Sequence, residues 1–332
     1  MAPIFDENTK ASELVSYYAP YIAGKVILIT GVSHGGLGES FVQHVATSKP
    51  ATFILAGRDS SKFQGLMDDL KASHPDIKVK PLSLDLASFT NVRQAAETVL
   101  SWSDDDVPHI DVLVNNAGTI TGPYGLTEDG IEKQFQTNHL GHFLFTNLIM
   151  RKLLSAKAPR VLSVSSIGHR HHSIRWTDYN FNQGKTYEMW SAYGQSKTAN
   201  CLMAVSLAEN LGPRGLTAFS LHPGAIMTTN LSSNVDDFAA MVKGMRAADI
   251  AMGTKYMWGL DGVKMKDMDE GVATHVFAAF DPTIGEHNGA YLNDCQIADP
   301  YKEEVYPWAT SKVSADMLWK LSEKLVKEEF SY

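Results

Sequence analysis

The chain is 332 residues long, 44% apolar and 20% charged, with 29 Lys and Arg against 37 Asp and Glu and a formal net charge of −8. That balance, with no cluster of Lys and Arg, excludes nucleic acid or an anionic membrane surface as the main partner and leaves a small molecule. Two distant cysteines, Cys201 and Cys295, with no CxxC, suggest neither a disulfide framework nor a zinc knuckle and fit a reducing compartment.

In chain order, the leader MAPIFDENTKASELVSYY carries acids and no long apolar core, so it reads as neither signal nor transit peptide. No window approaches the roughly 18 apolar residues that a spanning helix needs. A soluble, cytoplasmic protein is expected. Short β-branched runs then alternate with amphipathic stretches, the sequence form of repeated βαβ units around a parallel sheet. The strand candidates are Lys25–Thr30, Thr52–Ala56, Lys78–Leu84, Asp111–Val114, Arg160–Val164, Leu216–Leu221 and Ala290–Leu292. Helices are expected over Leu37–Thr47, Ser61–Ser73, Ser88–Ser101, Ile131–Leu154 and Tyr193–Leu211. Within the last, Ala199, Leu202, Met203, Ser206 and Leu207 keep the spacing of a buried stripe. With no repeat and no Pro-, Gly- or Ser-rich linker, residues 1–332 are expected to form one α/β domain, with 1–24 as an N-terminal extension.

Two segments break the alternation: Ile167 to Trp190, and the methionine-rich insert at 229–262 with Met241, Met245, Met252 and Met257. Insertions at the C-terminal ends of strands are where open α/β sheets bind ligands, so these are candidates for the substrate pocket and its lid.

The stretch Ile29–Ser40, ITGVSHGGLGES, sets four glycines directly after the first strand and opens a helix. Such a loop serves either as a bare strand-to-helix corner or as a cradle of backbone amides for a phosphate. The spacing is not GxGxxG, since Gly36-x-Gly38 is followed three residues later by Phe41. A second cofactor signal ends the next strand, Phe53-Ile-Leu-Ala-Gly-Arg-Asp59. An acid there serves the ribose hydroxyl of NAD(H), whereas a guanidinium accommodates the 2′-phosphate of NADP(H). Arg58 points to NADP(H), and Asp59 is better placed to cap the following helix; the alternative makes Arg58 a solvated cation and Asp59 the NAD(H) acid.

Further on come Asn115-Asn116-Ala117-Gly118 after the fourth strand, Asn138 in the next helix, Ser165-Ser166 after the fifth strand, Tyr193-Gly-Gln-Ser-Lys197, and Pro223-Gly224 after the sixth. In this order, each at its strand end, they resemble the short-chain dehydrogenase/reductase family. Asn138-His-Leu-Gly-His-Phe-Leu, Leu221-His-Pro-Gly224 and Gly289-Ala-Tyr-Leu-Asn-Asp-Cys295 are similar to its retinol dehydrogenase-like and fungal reductase branch. The resemblance implies a Rossmann-type, doubly wound parallel sheet of about seven strands with helices on both faces, and a homodimer or homotetramer. It implies that Gly31, Ser33, Gly36, Leu37 and Gly38 line a pyrophosphate. Asp85 and Leu86 would approach the adenine, while Asn115, Ala117, Pro223, Gly224, Ile226 and Thr228 would border the nicotinamide. The loop departs from the family pattern by one residue near His34-Gly35.

Reducing a ketone by hydride transfer leaves charge on oxygen, so a site must supply a proton and stabilise an alkoxide. Tyrosine can give that proton, but its free pKa of about 10 suits it poorly near neutrality. Lys197, four residues after Tyr193 on the same helical face, is expected to lower it. By the family pattern Ser166, rather than Ser165, orients the substrate oxygen. Asn138 holds a water in the proton relay, unless it merely caps or packs its helix. His169, His171 and His172 lack further ligands at helix spacing and sit beside Arg170, so no metal is expected. Trp176, Tyr179, Phe181, Tyr187 and Trp190, with the methionines, suggest walls for a bulky, mostly apolar carbonyl or alcohol, or simply packing of the insert. Pocket candidates are His169, Trp176, Trp190 and Met227. The expected activity is NADP(H)-dependent carbonyl reduction. The alternatives are NAD-linked alcohol oxidation, a non-redox step such as isomerisation, and a non-catalytic cofactor sensor.

Overall fold

Val26–Thr30, five consecutive buried residues, form strand β1. A run buried on both sides is what a central parallel strand requires. The same logic holds for β2 (Thr52–Gly57), β4 (Val112–Asn115), β5 (Arg160–Val164) and β6 (Thr217–His222), while β3 (Lys78–Ser83) is polar enough to sit at an edge. The computed structural model describes residues 4–226, 228–229, 231, 238–254, 264–302 and 304–332. Met227 and much of the 229–262 insert therefore lie outside the described residues.

The strands form one sheet in the order β3-β2-β1-β4-β5-β6, continued by β7 (Tyr291–Asn293) and β8 (Gln296–Ile297). All neighbours pair in parallel except β7 and β8, so an eighth, antiparallel strand adds to the seven expected. β8 has two residues and follows a turn with positive φ at Asp294 and Cys295. Two residues show no alternation to read.

Helices cover both faces, as right-handed crossovers require. On one face α1 (Ala11–Tyr17), α2 (Leu37–Ala46), α3 (Gln64–Ser73) and α8 (Met268–Phe280) bury Leu14, Phe41, Leu66 and Val276 against Ile27, Ile29, Phe53 and Leu55. On the other, α4 (Phe89–Ser101), α5 (Gly141–Leu148), α6 (Met189–Leu211) and α9 (Lys312–Val326) cover Leu28, Ile54 and Leu113. A further helix, α7 (Phe238–Met252), packs on neither main core. Its Met241, Met245 and Ala248 join Ile120, Trp190 and Tyr193 in a separate cluster.

The helix expected over Ile131–Leu154 is broken. It starts as a short turn at Lys133–Phe135, widens into a π turn at Gln136–Leu140, and becomes regular again only in α5. π turns concentrate at functional sites, and this one carries Asn138. The strand order reverses between β1 and β4, which opens a crevice at the C-terminal ends of these strands.

Candidate active site

A cavity of about 1180 Å³ fills that crevice. Its walls come from the segments that follow β1, β2, β3, β4, β5 and β6, and from α6.

The glycine loop forms one end. Gly31 turns at φ 75°, a left-handed conformation that favours glycine, and a Cβ there would lie 2.7 Å from the Cα of Ala117. The added residue is absorbed in a second such turn at Gly35, φ 74°. Glu39 holds it: one carboxylate oxygen accepts the Gly35 amide at 2.6 Å, and the other lies 3.1 Å from His34 Nδ1. Ser33, Gly36 and Leu37 line the cavity. Gly38 stands behind them, where a Cβ would come within 2.4 Å of the Gly31 carbonyl oxygen. Gly36 caps α2 without a side-chain hydrogen bond, so backbone amides of the first turn face the cavity uncapped.

Arg58 and Lys62 line the wall after β2, and Arg58 is exposed. Asp59 caps the next turn instead, accepting the Ser61 amide at 2.9 Å. Asp85 and Leu86 line the wall after β3. After β4, Asn116, Ala117 and Gly118 face the cavity, whereas Asn115 is buried and donates to Thr146 Oγ1 at 3.0 Å. Asn116 is thus the wall residue that the quoted motif contained but the assignment passed over; its Nδ2 donates to the carbonyls of Thr30 and Gly31. Pro223 and Gly224 line the far end, Ile226 packs near Gly271 and Leu37, and Thr229 rather than the exposed Thr228 meets the cavity.

Ser166, Tyr193 and Lys197 share the wall beside this end. Ser166 caps the turn Ile167–His171, its Oγ accepting the Gly168 amide at 3.0 Å, which leaves its own proton to give. Ser165 turns away: its hydroxyl donates to the Lys197 carbonyl at 2.7 Å and lies 3.1 Å from Cys201 Sγ. Tyr193 and Lys197 stand one turn apart on α6, with Lys197 Nζ 5.7 Å from the phenol ring centre. The ammonium donates to the Val164 carbonyl at 3.0 Å. Burial pushes the Tyr193 phenol up to about 12, against a hydrogen bond from Ser166. Burial likewise brings Lys197 down to about 8, with Cys201 opposing. Lys197 does not bond the phenol directly, and in the protein alone it is burial that raises Tyr193 and Ser166 that opposes it.

Asn138 is fully buried, and its side chain is a clip. Its Oδ1 accepts the Thr119 amide at 2.8 Å, and its Nδ2 donates to the Thr119 carbonyl at 3.0 Å and to Ser196 Oγ at 2.9 Å. Gly118 lies beside both groups: a Cβ there would stand 3.2 Å from Lys197 Nζ and 3.5 Å from Asn138 Oδ1.

The other pocket candidates stand off this wall. His169 is fully buried, pushed down to about 4 by burial, with Nδ1 2.7 Å from the Ser166 carbonyl. The Tyr306 amide donates to its Nε2 at 3.2 Å, so the ring proton sits on Nδ1. Trp176 packs against the core under α6. Trp190 meets the Tyr193 ring edge-on at 5.8 Å and donates from its indole to the Met241 carbonyl at 2.8 Å. Its aromatic neighbours could be read from composition, but not the direction they face. Among the described residues no group of three or more acidic, histidine or cysteine side chains could hold a metal, and no helix is long and apolar enough to cross a membrane.

The sequence profile of the short chain dehydrogenase family matches residues 25–181. A short-chain dehydrogenase/reductase, prx1, of Penicillium roqueforti is 36% identical over 313 residues, covering 91% of this chain and 85% of its own. Retinol dehydrogenase 11 of Mus musculus is 31% identical over 277 residues, 83% of this chain and 80% of its own. Among solved structures, a putative uncharacterized protein from Mycobacterium paratuberculosis superposes with a TM-score of 0.70 at 29% identity, covering 98% of this chain and 99% of its own. An NADPH-bound carbonyl reductase from chicken fatty liver shares the fold at a TM-score of 0.57 and 19% identity, over 83% of this chain and 99% of its own. With this wall geometry and these relatives, the chain belongs to the short-chain dehydrogenase/reductase family.

Proposed function

We propose that the protein is an NADP(H)-dependent carbonyl reductase, with Tyr193 as the proton donor. The observation that carries this reading is that Ser166, Tyr193 and Lys197 line one continuous cavity with the glycine turn and Arg58. The wall fits a dinucleotide. Uncapped amides of α2 suit a pyrophosphate, and the close approach at Gly31 and Gly38 leaves no room for side chains. Arg58 has no carboxylate partner among the described residues, which suits a 2′-phosphate, while Asp59 is occupied in its cap.

Reduced nicotinamide, when bound, supplies the hydride that adds to the carbonyl carbon. Ser166 donates a hydrogen bond from its hydroxyl to the carbonyl oxygen and fixes its direction, keeping its own proton. Tyr193 transfers the phenolic proton as charge develops on that oxygen, and its raised pKa keeps the phenol protonated beforehand. The Lys197 ammonium stabilises the phenolate left behind through its charge, and water restores the phenolic proton once the product has left. Asn138 holds the Thr119 strap against α6 and so keeps this geometry closed. A bulky, mostly apolar carbonyl substrate of terpenoid, polyketide, steroid-like or retinoid-like kind is read from the aromatic and methionine content of the two inserts, whose Trp190, Met241 and Met245 pack behind Tyr193. Two free, buried cysteines agree with a cytoplasmic setting.

The test is to titrate NADPH and NADH separately by nicotinamide fluorescence, then follow NADPH absorbance with a panel of bulky ketones. NADPH should bind more tightly, and Tyr193→Phe should lose about 100-fold or more in turnover while still binding it. Tighter NADH binding overturns the cofactor reading. Undiminished turnover by the variant overturns the role of Tyr193.

A further inference from the structure

His142, which no part of the reaction above uses, is 1% exposed and stands at the start of α5, one turn beyond Asn138. Its Nε2 lies 2.9 Å from Thr30 Oγ1 and its Nδ1 3.1 Å from the Asn138 carbonyl oxygen. The proton positions follow from counting. Thr30 Oγ1 already accepts the amides of Asn116 at 3.0 Å and Ala117 at 2.9 Å. A hydroxyl oxygen has two lone pairs, so the remaining bond must be its own O–H donated to Nε2. The ring proton therefore sits on Nδ1 and is donated to Asn138. Burial, with the Lys197 cation adding to it, takes the imidazole down to about 4, so this neutral tautomer persists at neutral pH.

The two ends of this bridge belong to different parts of the cavity. Thr30 closes β1, and the amides it accepts shape the 116–118 turn that packs on Gly31. Asn138 lies in the π turn and holds Thr119 and Ser196. A widened turn is less fixed by its own ladder than an α-helix, so its carbonyls need outside donors to hold one geometry.

We propose that His142 is a positioning residue: its imidazole spans Thr30 and Asn138 and keeps the dinucleotide floor and the Tyr193–Lys197 side of the cavity in register. The inference deepens the reading above and rests on it for the meaning of the dinucleotide floor. The side chains of Gln and Asn separate the two legs. Gln carries an acceptor near the position of Nε2, and Asn carries a donor near that of Nδ1.

The experiment measures NADPH affinity by fluorescence and amide exchange at Asn116, Ala117 and Thr119 in the full chain, without and with NADPH. His142→Phe should raise the NADPH Kd about tenfold and speed exchange at all three amides. His142→Gln should return the Kd to within about threefold of wild type and reprotect Asn116 and Ala117, but not Thr119. His142→Asn should do the reverse. Thr30→Val should raise the Kd by itself and make the further change to His142→Phe nearly silent, the coupling expected of two residues acting through one bond. Equal losses in the Gln and Asn variants, or additive losses with Thr30→Val, overturn the inference. If Phe does not fold, the Gln and Asn pair still decides it. A wild type that binds neither NADPH nor NADH sinks the functional reading instead, and the exchange pattern of the free protein still tests the bridge.

Discussion

Replacing Asp249 by alanine should loosen α7 from the segment that follows Ser166. Arg170 Nε and Nη2 lie 2.7 and 3.1 Å from the two oxygens of Asp249, and His171 Nε2 lies 3.3 Å from the first. Both charged side chains are 1% exposed. Burial alone would raise this carboxyl, but His171 and Arg170 hold it at about 2, so it is ionised at neutral pH. Its folded value lies below the ordinary 3.8, so its contribution is complete above that and is lost only as pH falls toward 2. Alanine leaves a buried guanidinium whose other bond is to the Ile167 carbonyl at 3.3 Å. Breaking a buried pair from one side costs about 3–5 kcal/mol. At about 2.1 cal/mol/K per residue, the unfolding entropy of the chain is about 0.7 kcal/mol/K, so Tm should drop by about 4–7 °C. Calorimetry at pH 7 reads the Tm, and amide exchange over 167–171 and 238–252 shows whether loosening is local. A Tm within 1 °C of wild type, with exchange unchanged in both segments, would refute the reasoning.

Gly168→Ala should act on chemistry alone: its Cβ would meet Tyr193 Cε1 at 2.6 Å, displacing the phenol and lowering kcat about 100-fold, with NADPH affinity kept within about threefold. A kcat within a few-fold of wild type would show that the ring has room to yield. Glu132 is fully buried and raised to about 7 by burial, against the amides of Gln134 and Phe135 that it accepts. Its folded value lies above the ordinary 4.5, so that contribution to stability is present below 4.5 and lost as pH rises through 7. Glu132→Gln should therefore flatten the pH dependence and exceed wild type at pH 8, by about 3 kcal/mol at most; denaturant unfolding at pH 5 and 8 checks it, and parallel curves refute it. Arg58→Asp should reverse nucleotide preference by weakening NADPH more than tenfold, measured as the NADPH to NADH Kd ratio. An unchanged ratio would make Arg58 a bystander.

Most of the sheet could be read from the sequence because its strands are buried on both faces, and continuous runs such as Val26–Thr30 leave little else for those residues to be. Tyr193 and Lys197 were legible because four residues make one helical turn. What escaped depends on partners far away in the chain. Within Gln136–Leu140 only Leu140 is apolar, so no periodicity marks the turn type there, and the clip from Asn138 to Thr119 and Ser196 and the bridge from His142 to Thr30 are what accompany the widening. The aromatic residues after Ser166 were visible, yet Trp176 faces the core and Trp190 faces α7, a choice made by packing. Nor can spacing report burial, which raises the Tyr193 phenol against the Ser166 hydrogen bond.

The leader has a consequence for where the molecule can be cut. Ala11, Leu14, Val15, Tyr18 and Ile22 are all buried, and they pack in the same layer as Phe41 and Val276. Ser12 is tied to Asp269 through its amide and hydroxyl, and the Tyr18 hydroxyl donates to Asp281 at 2.6 Å. The family profile begins at residue 25. A truncation placed there would strip α1 and the short helical turn Ala19–Ile22 from the hydrophobic layer and bare the flank of α8, turning a buried seam into a sticky surface. For recombinant expression, the practical N-terminal boundary lies ahead of Ala11.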